Sequence, residues 1–390
     1  MNILMFSWEY PPRIIGGISR VVYHLSRGLS EQGHNVTVIT SVEGEEEFYL
    51  SGNERIYCVS SYYVKPINFI NGVLQMNFSM FEKAVEIIRN GEMFDVIHLH
   101  DWLVAFAGKG MERVYPIRQV CTIHSTEYGR NAGIHNEIQS FINNVEKKMV
   151  HGIKHVIVNS MYMKNEVNTL FDRTEDNIHV IPNGIEPEKL NLIPKDMDFR
   201  KKYAADNEKI VFFIGRLVNE KGVHVLMDAV PIILSRYRDV RFIIAGSGPE
   251  RDTLEKKAIE NGVADRVHFT GYINDEELCK MYKCVDIAVF PSLYEPFGIV
   301  ALEAMVANLP VVVSEAGGFN EIVTNRFNGM KFRTGRSDLL ADCIIELMTS
   351  PDLVIDITKN AWNTINEKYK WSAIVEKTHA VYELAKQDTQ

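Results

Sequence analysis

The sequence predicts an α/β protein made of two doubly wound, Rossmann-like domains facing across a cleft. Three observations predict it. The chain has 390 residues and 46% hydrophobic content, too long for one ordinary core and apolar enough to bury two. Short apolar runs alternate with helical stretches through the first half. The same alternation restarts after a polar interval near Ile193 to Asp198.

Taken in order, residues 3–6, 36–40, 96–100, 120–124 and 156–159 read as strands of a parallel sheet, with an amphipathic helix over 20–32. Pro182-Asn183-Gly184-Ile185-Glu186-Pro187 carries turn chemistry at both ends and marks the interdomain crossing, so 1–190 forms the first domain and 191–370 the second. In the second, 210–214, 241–245, 267–270, 286–290 and 311–314 read as strands, with helices from Val223 and over 299–307. Parallel sheets of this kind gather ligands at the carboxyl ends of their strands, which puts the expected site in the cleft.

Composition excludes several classes. A net charge of −9 with no dense Lys/Arg run argues against nucleic acid as a partner. Five cysteines are odd in number and lack the paired short spacing of a zinc site or disulfide framework, so a reducing cytoplasm fits. The amino terminus reads as a strand, not a signal peptide, and no apolar run reaches bilayer-spanning length. The apolar, aromatic segment Tyr62 to Met80 leaves room for a peripheral membrane contact, which is not favoured, since core or loop packing explains it as well.

The chemistry concentrates at strand ends. Glu295-Pro-Phe-Gly-Ile-Val-Ala-Leu-Glu303 places one carboxylate in a strand-end loop and another about a turn inside the following helix, with the amides of Phe297, Gly298 and Ile299 between them. Helix-start amides attract an anion and carboxylates accept from hydroxyls, a combination suited to a sugar phosphate. A helix cap and an exposed glutamate would explain the same residues. Gly16-Gly17 precedes the first helix, where a diphosphate could approach the backbone, or a plain turn suffices. The dinucleotide pattern Gly-x-Gly-x-x-Gly is absent. Gly215-Arg216 with Lys221 offers two cations that could converge on one phosphate and neutralise charge growing on a leaving group, or form a solvated surface pair. His124 ends another strand and could bond a sugar hydroxyl or be structural. His98, His100 and Asp101 invite a metal, but packing against Trp102 explains them better. Asp196-Met-Asp198 reads as a helix cap. Gly246-Ser-Gly248 and the Tyr272 region could present backbone and a ring edge to a nucleotide, or be turns.

Gly16-Gly17, His100-Asp101-Trp102, His124, Pro182-Asn183-Gly184, Gly215-Arg216 with Lys221, Gly246-Ser-Gly248 and Glu295 to Glu303 occur in an order that resembles the retaining glycosyltransferases of the GT-B fold, family 4, and in particular bacterial and archaeal glycogen synthases. The resemblance spans nearly the whole chain. It implies that Glu303 holds the ribose hydroxyls of the donor nucleotide, Glu295 lies by the donor sugar, Arg216 and Lys221 grip the diphosphate, and His124 contacts the sugar. It further implies donor contacts at Gly16, Gly17, Gly215, Gly246 and the Phe297–Ile299 amides, with Tyr272 facing the base. The implied reaction moves a hexose from a nucleotide sugar such as UDP- or ADP-glucose to a glucan, another carbohydrate or some other hydroxyl acceptor, with retention and without a metal. The final helix, 371–390, would pack back on the first domain, with Trp371 between domains. One departure stands out: glycogen synthases carry a lysine two positions before the paired glycines, where this chain has Ile14, its nearest cation being Arg13. A nucleotide-sugar epimerase of similar fold, or a protein that binds nucleotide sugars without turnover, remains an alternative.

Overall fold

The computed structural model describes residues 1–14, 16–61, 63–173, 177–186 and 194–388. The chain divides into two compact units, Met1–Gly184 with Trp371–Gln390, and Ile185–Lys370. The boundary expected between 190 and 191, together with Pro187 and Ile193, lies outside the described residues. In the second unit the Ile185 amide donates to the Tyr369 carbonyl at 2.7 Å.

The first unit holds an eight-stranded sheet among the described residues. Its strands are β1 (Asn2–Phe6), β2 (Asn35–Val42), β3 (Glu47–Ser51), β4 (Glu54–Ser60), β5 (Val96–His100), β6 (Arg118–Ile123), β7 (His155–Val158) and β8 (Ile178–Val180). They are ordered β3-β4-β2-β1-β5-β6-β7-β8. Every pairing is parallel except β3 on β4. β1 is central because Ile3, Leu4, Met5 and Phe6 are fully buried, apolar on both faces as a strand between helical layers must be. Helix Gly17–Glu31 turns Val21, Val22, Leu25 and Leu29 to the core at helical spacing. Helix Trp371–Gln387 joins this unit: Tyr382 is fully buried against His98 of β5, and Trp371 stacks on His24 with ring centroids 5.3 Å apart. Trp371 thus stacks against the first unit.

The segment over 62–80 resolves into a loop and the long helix Phe69–Arg89, which buries Val73, Met76, Met80, Ala84 and Ile87 and leaves Phe69 and Phe78 exposed; Tyr62 lies outside the described residues. Among the described residues no helix is long and apolar enough to cross a membrane.

The second unit holds a six-stranded, fully parallel sheet of β9 (Lys209–Ile214), β10 (Val240–Ala245), β11 (Val267–Gly271), β12 (Ile287–Phe290), β13 (Val311–Ser314) and β14 (Met330–Phe332). Their order is β11-β10-β9-β12-β13-β14. The chain winds outward from β9 in one direction and, after β11, returns to start the other half at β12. The crevice of such a sheet opens where the order reverses, between β9 and β12. The Arg216 to Lys221 loop leaves β9 and the Ser292 to Glu295 loop leaves β12, so both cross that switch point.

Candidate active site

In the second unit the loops after β9 and β12 are tied together by backbone: the amides of Leu293 and Tyr294 both donate to the Glu220 carbonyl. This brings Lys221 Nζ to 2.8 Å from Glu295 Oε2, an ion pair in which Glu295 is 6% exposed. Ser292 Oγ donates to the same oxygen at 3.1 Å, and its own carbonyl accepts from Ser314 Oγ. The carboxylate is thus fixed by a cation from the β9 loop and a hydroxyl from its own loop, which sets its direction more firmly than either would alone. The Gly318 amide donates to the Glu295 carbonyl at 2.8 Å, closing the loop.

Gly298 adopts a left-handed conformation, with φ of 109°, immediately before helix Ile299–Val306. The first amides of that helix are those a helix start leaves without an internal partner. Glu303, 6% exposed, lies within this short apolar helix and accepts from the Tyr282 hydroxyl at 3.0 Å.

The structure separates some residues the sequence groups. Arg216 and Lys221 do not share a partner: Arg216 is half exposed and faces Glu220 at 3.5 Å, while Lys221 holds Glu295. Three glycines have their amides already engaged. The Gly215 amide donates to the Ala245 carbonyl, the Gly246 amide to the Gly271 carbonyl and the Gly16 amide to Glu9 Oε2 at 2.8 Å. As the chain stands, these three amides are bonded within the protein. Gly17 differs: a Cβ built on it meets nothing within 4 Å. Tyr272 is 71% exposed just past β11.

Glu9 was not singled out in the sequence. It is 1% exposed and accepts from the Gly16 and Ser19 amides, so the chain supplies its own anion at the start of helix Gly17–Glu31. Arg13, the cation nearest the position of the missing lysine, binds Ser41 Oγ at 2.5 Å and lies over the Trp8 ring. Asp196 caps helix Met197–Lys201 by accepting from the Phe199 amide, as its sequence context suggests.

At the carboxyl ends of β5 and β6 in the first unit, three histidines stack. His98 is satisfied at both ring nitrogens, by the Tyr382 hydroxyl at 2.7 Å and the Thr122 hydroxyl at 2.8 Å. His100 Nδ1 lies 3.3 Å from His124 Nε2. Burial pushes His98 down to about 3 and His124 to about 4, and drives His100 well below the ordinary histidine value, so all three rings are neutral at physiological pH. Among the described residues no group of three or more His, Cys, Asp or Glu side chains is placed to hold a metal ion.

The His124 segment is held by two buried carboxyls. Asp101, at a positive φ of 64°, accepts from the His124 amide at 3.1 Å, and Glu146 accepts from the Glu127 amide. Burial raises Asp101 to about 6 and Glu146 to about 8, against the opposing pull of Arg130 on both. Glu146 sits three turns along helix Glu137–Gly152, where sequence alone gives no sign that a glutamate is turned inward. A carboxyl raised in this way holds its proton in the folded chain above pH 4.5, where the unfolded chain has released it. Stability therefore falls as pH rises from about 4.5 to about 8. Glu146→Gln keeps an acceptor for Glu127 and removes the ionisation. Urea titrations at pH 5.5 and 8.5 are expected to show the wild type losing on the order of 2–3 kcal/mol relative to this variant across that interval. An unchanged difference would mean Glu146 ionises freely in the folded state.

Comparison with known proteins places the chain in a family. Residues 15–189 match the model described as Glycosyltransferase Family 4, and residues 195–364 match that described as Glycosyl transferases group 1. An uncharacterised glycosyltransferase of Methanocaldococcus jannaschii is 38% identical over 99% of this chain and 98% of its own. The glycogen synthase of Mycobacterium tuberculosis is 31% identical over 99% of this chain and 95% of its own. Among solved structures, sucrose-phosphate synthase from Thermosynechococcus elongatus superposes with a TM-score of 0.84 at 24% identity, covering 98% of each chain. Anabaena HepE in complex with UDP-glucose superposes with a TM-score of 0.78 at 20% identity, covering 98% of this chain and 100% of that one. The chain belongs to the GT-B glycosyltransferases and is similar to the glycogen synthases.

Proposed function

We propose that this glycosyltransferase moves a hexose from a nucleotide-diphosphate sugar, such as UDP- or ADP-glucose, to a hydroxyl of a glucan or another carbohydrate, with retention of anomeric configuration. The observation that carries the proposal is the Lys221–Glu295–Ser292 cluster at the switch point of the second sheet, followed by the short helix that holds Glu303. A cation, an oriented carboxylate and a helix start in one place suit a diphosphate joined to a polyhydroxyl ring.

In the proposed reaction the bond from the anomeric carbon to the diphosphate oxygen breaks as the acceptor oxygen bonds to the same face of that carbon. The acceptor proton passes to a departing phosphate oxygen, so no separate side-chain base is needed. Lys221 and Arg216 neutralise the charge that grows on the leaving diphosphate. No resident metal is needed for that task, because two cations and the helix-start amides supply the same stabilisation. Glu295 accepts from a hydroxyl of the donor sugar and Glu303 from the ribose. His124, as a neutral ring, bonds a hydroxyl of the transferred sugar.

A thermal-shift panel of nucleotide sugars with metal chelated tests this, since a ligand that binds only the folded chain raises Tm. One donor is expected to shift Tm clearly, and Glu303→Ala to abolish that shift. Adding carbohydrate acceptors should then release free nucleotide diphosphate. Conversion of the donor without an acceptor would point to an epimerase, and binding without turnover to a sensor.

A further inference from the structure

Helix Ile299–Val306 is apolar except for Glu303, and Ala301, Leu302, Ala304, Met305 and Val306 are buried with it. A carboxylate in such surroundings keeps a single orientation only where donors fix it. The Tyr282 hydroxyl is such a donor, 3.0 Å from Oε2. Tyr282 lies in the last turn of helix Asp275–Cys284 and is 1% exposed. Its ring packs edge-on against Phe212 of the central strand β9, with centroids 5.7 Å apart and planes at 90°. The tyrosine is immobilised by the core at one end and directed at the carboxylate by the other.

We infer that Tyr282 is a positioning residue for the donor nucleotide: anchored through Phe212, it fixes Glu303 Oε2 so that the carboxylate meets the ribose hydroxyls already oriented. This rests on the proposed contact between Glu303 and the ribose. In this role Tyr282 acts through Glu303, the carboxylate its hydroxyl bonds.

Tyr282→Phe deletes the hydroxyl and keeps the packed ring. Calorimetric titrations of the wild type, Tyr282→Phe, Glu303→Ala and the double variant with UDP, ADP and their 2′,3′-dideoxy forms separate the possibilities. For the nucleotide that binds, Tyr282→Phe is expected to weaken the ribose form about three- to tenfold, as loss of one oriented hydrogen bond does, and to leave the dideoxy form nearly unchanged. In the Glu303→Ala background the same substitution should add nothing. Equal weakening of both forms, or a loss that persists without Glu303, makes Tyr282 merely structural and overturns the inference. If Glu303→Ala weakens binding while Tyr282→Phe does not, the role of Tyr282 alone falls. If Glu303→Ala leaves binding unchanged, or neither nucleotide binds, the ribose contact falls and the inference with it.

Discussion

Alanine at Arg216 and alanine at Lys221 are each expected to lower kcat by about 10²–10³-fold, roughly 3–4 kcal/mol of barrier, with much smaller changes in donor KM. The reason is differential: the charge each side chain meets is larger once the diphosphate is leaving than while it is bound. The two variants should part company in stability. Arg216 is half exposed and its 3.5 Å contact with Glu220 is a surface pair, worth at most about 1 kcal/mol. Lys221 faces a carboxylate that is 6% exposed, and removing it leaves that charge without its cation, a loss on the order of 3 kcal/mol. Steady-state kinetics alongside thermal melts therefore give a two-part readout: both variants slow, only Lys221→Ala less stable. Should Arg216→Ala turn over within threefold of wild type, its place on the diphosphate is lost. Lys221→Arg bears on geometry, since a planar fork cannot reproduce a point charge at 2.8 Å, and restored stability with poor turnover is expected.

Much of this arrangement was legible in the sequence because it follows local rules. The second-unit strands read off their apolar runs lie within a residue or two of the observed bounds, and 311–314 coincides with β13. Buried parallel strands announce themselves as short β-branched runs, and their helices as amphipathic repeats. Of the strands that escaped notice, β4 carries apolar residues and could have been read, and β8 spans only three residues. β3 is exposed along its whole length and β14 spans three residues. At the site, Glu295, Glu303 and Lys221 could be named because loops at strand ends carry chemistry in such sheets. The residues that orient them could not. Ser292 and Tyr282 are ordinary in sequence, and their hydrogen bonds to the two carboxylates follow from burial, which is a property of the fold. Glu9 and the amides of Gly16, Gly215 and Gly246 teach the reverse lesson. Three amides of the glycine-rich loops are bonded within the chain, which only hydrogen-bond geometry reveals.

That geometry makes Gly246 the position at which the smallest change should do the most harm. Its φ of 128° is a conformation that side chains rarely adopt, and a Cβ placed there would lie 1.9 Å from the Gly215 carbonyl oxygen. The obstacle is backbone and cannot swing aside. The Gly215 amide is bound to Ala245 and the Gly246 amide to Gly271, so the ends of β9, β10 and β11 are stitched together at the crossing. Strain alone is about 1–3 kcal/mol, and the clash adds to it by forcing these strands apart. Gly246→Ala is therefore expected to lower Tm by roughly 10 °C and to abolish the nucleotide-induced shift, because the displaced β9 end carries Arg216 and Lys221. Gly17→Ala is the informative contrast. An added Cβ there meets nothing within 4 Å and the residue opens a helix, so the fold should keep its stability or gain slightly. If a phosphate approaches that backbone closely, Gly17→Ala will nonetheless lose turnover, separating access from stability in one substitution. A Gly246→Ala protein that melts with the wild type would mean the strand ends can separate without loss, and the tight crossing would then explain nothing about the site.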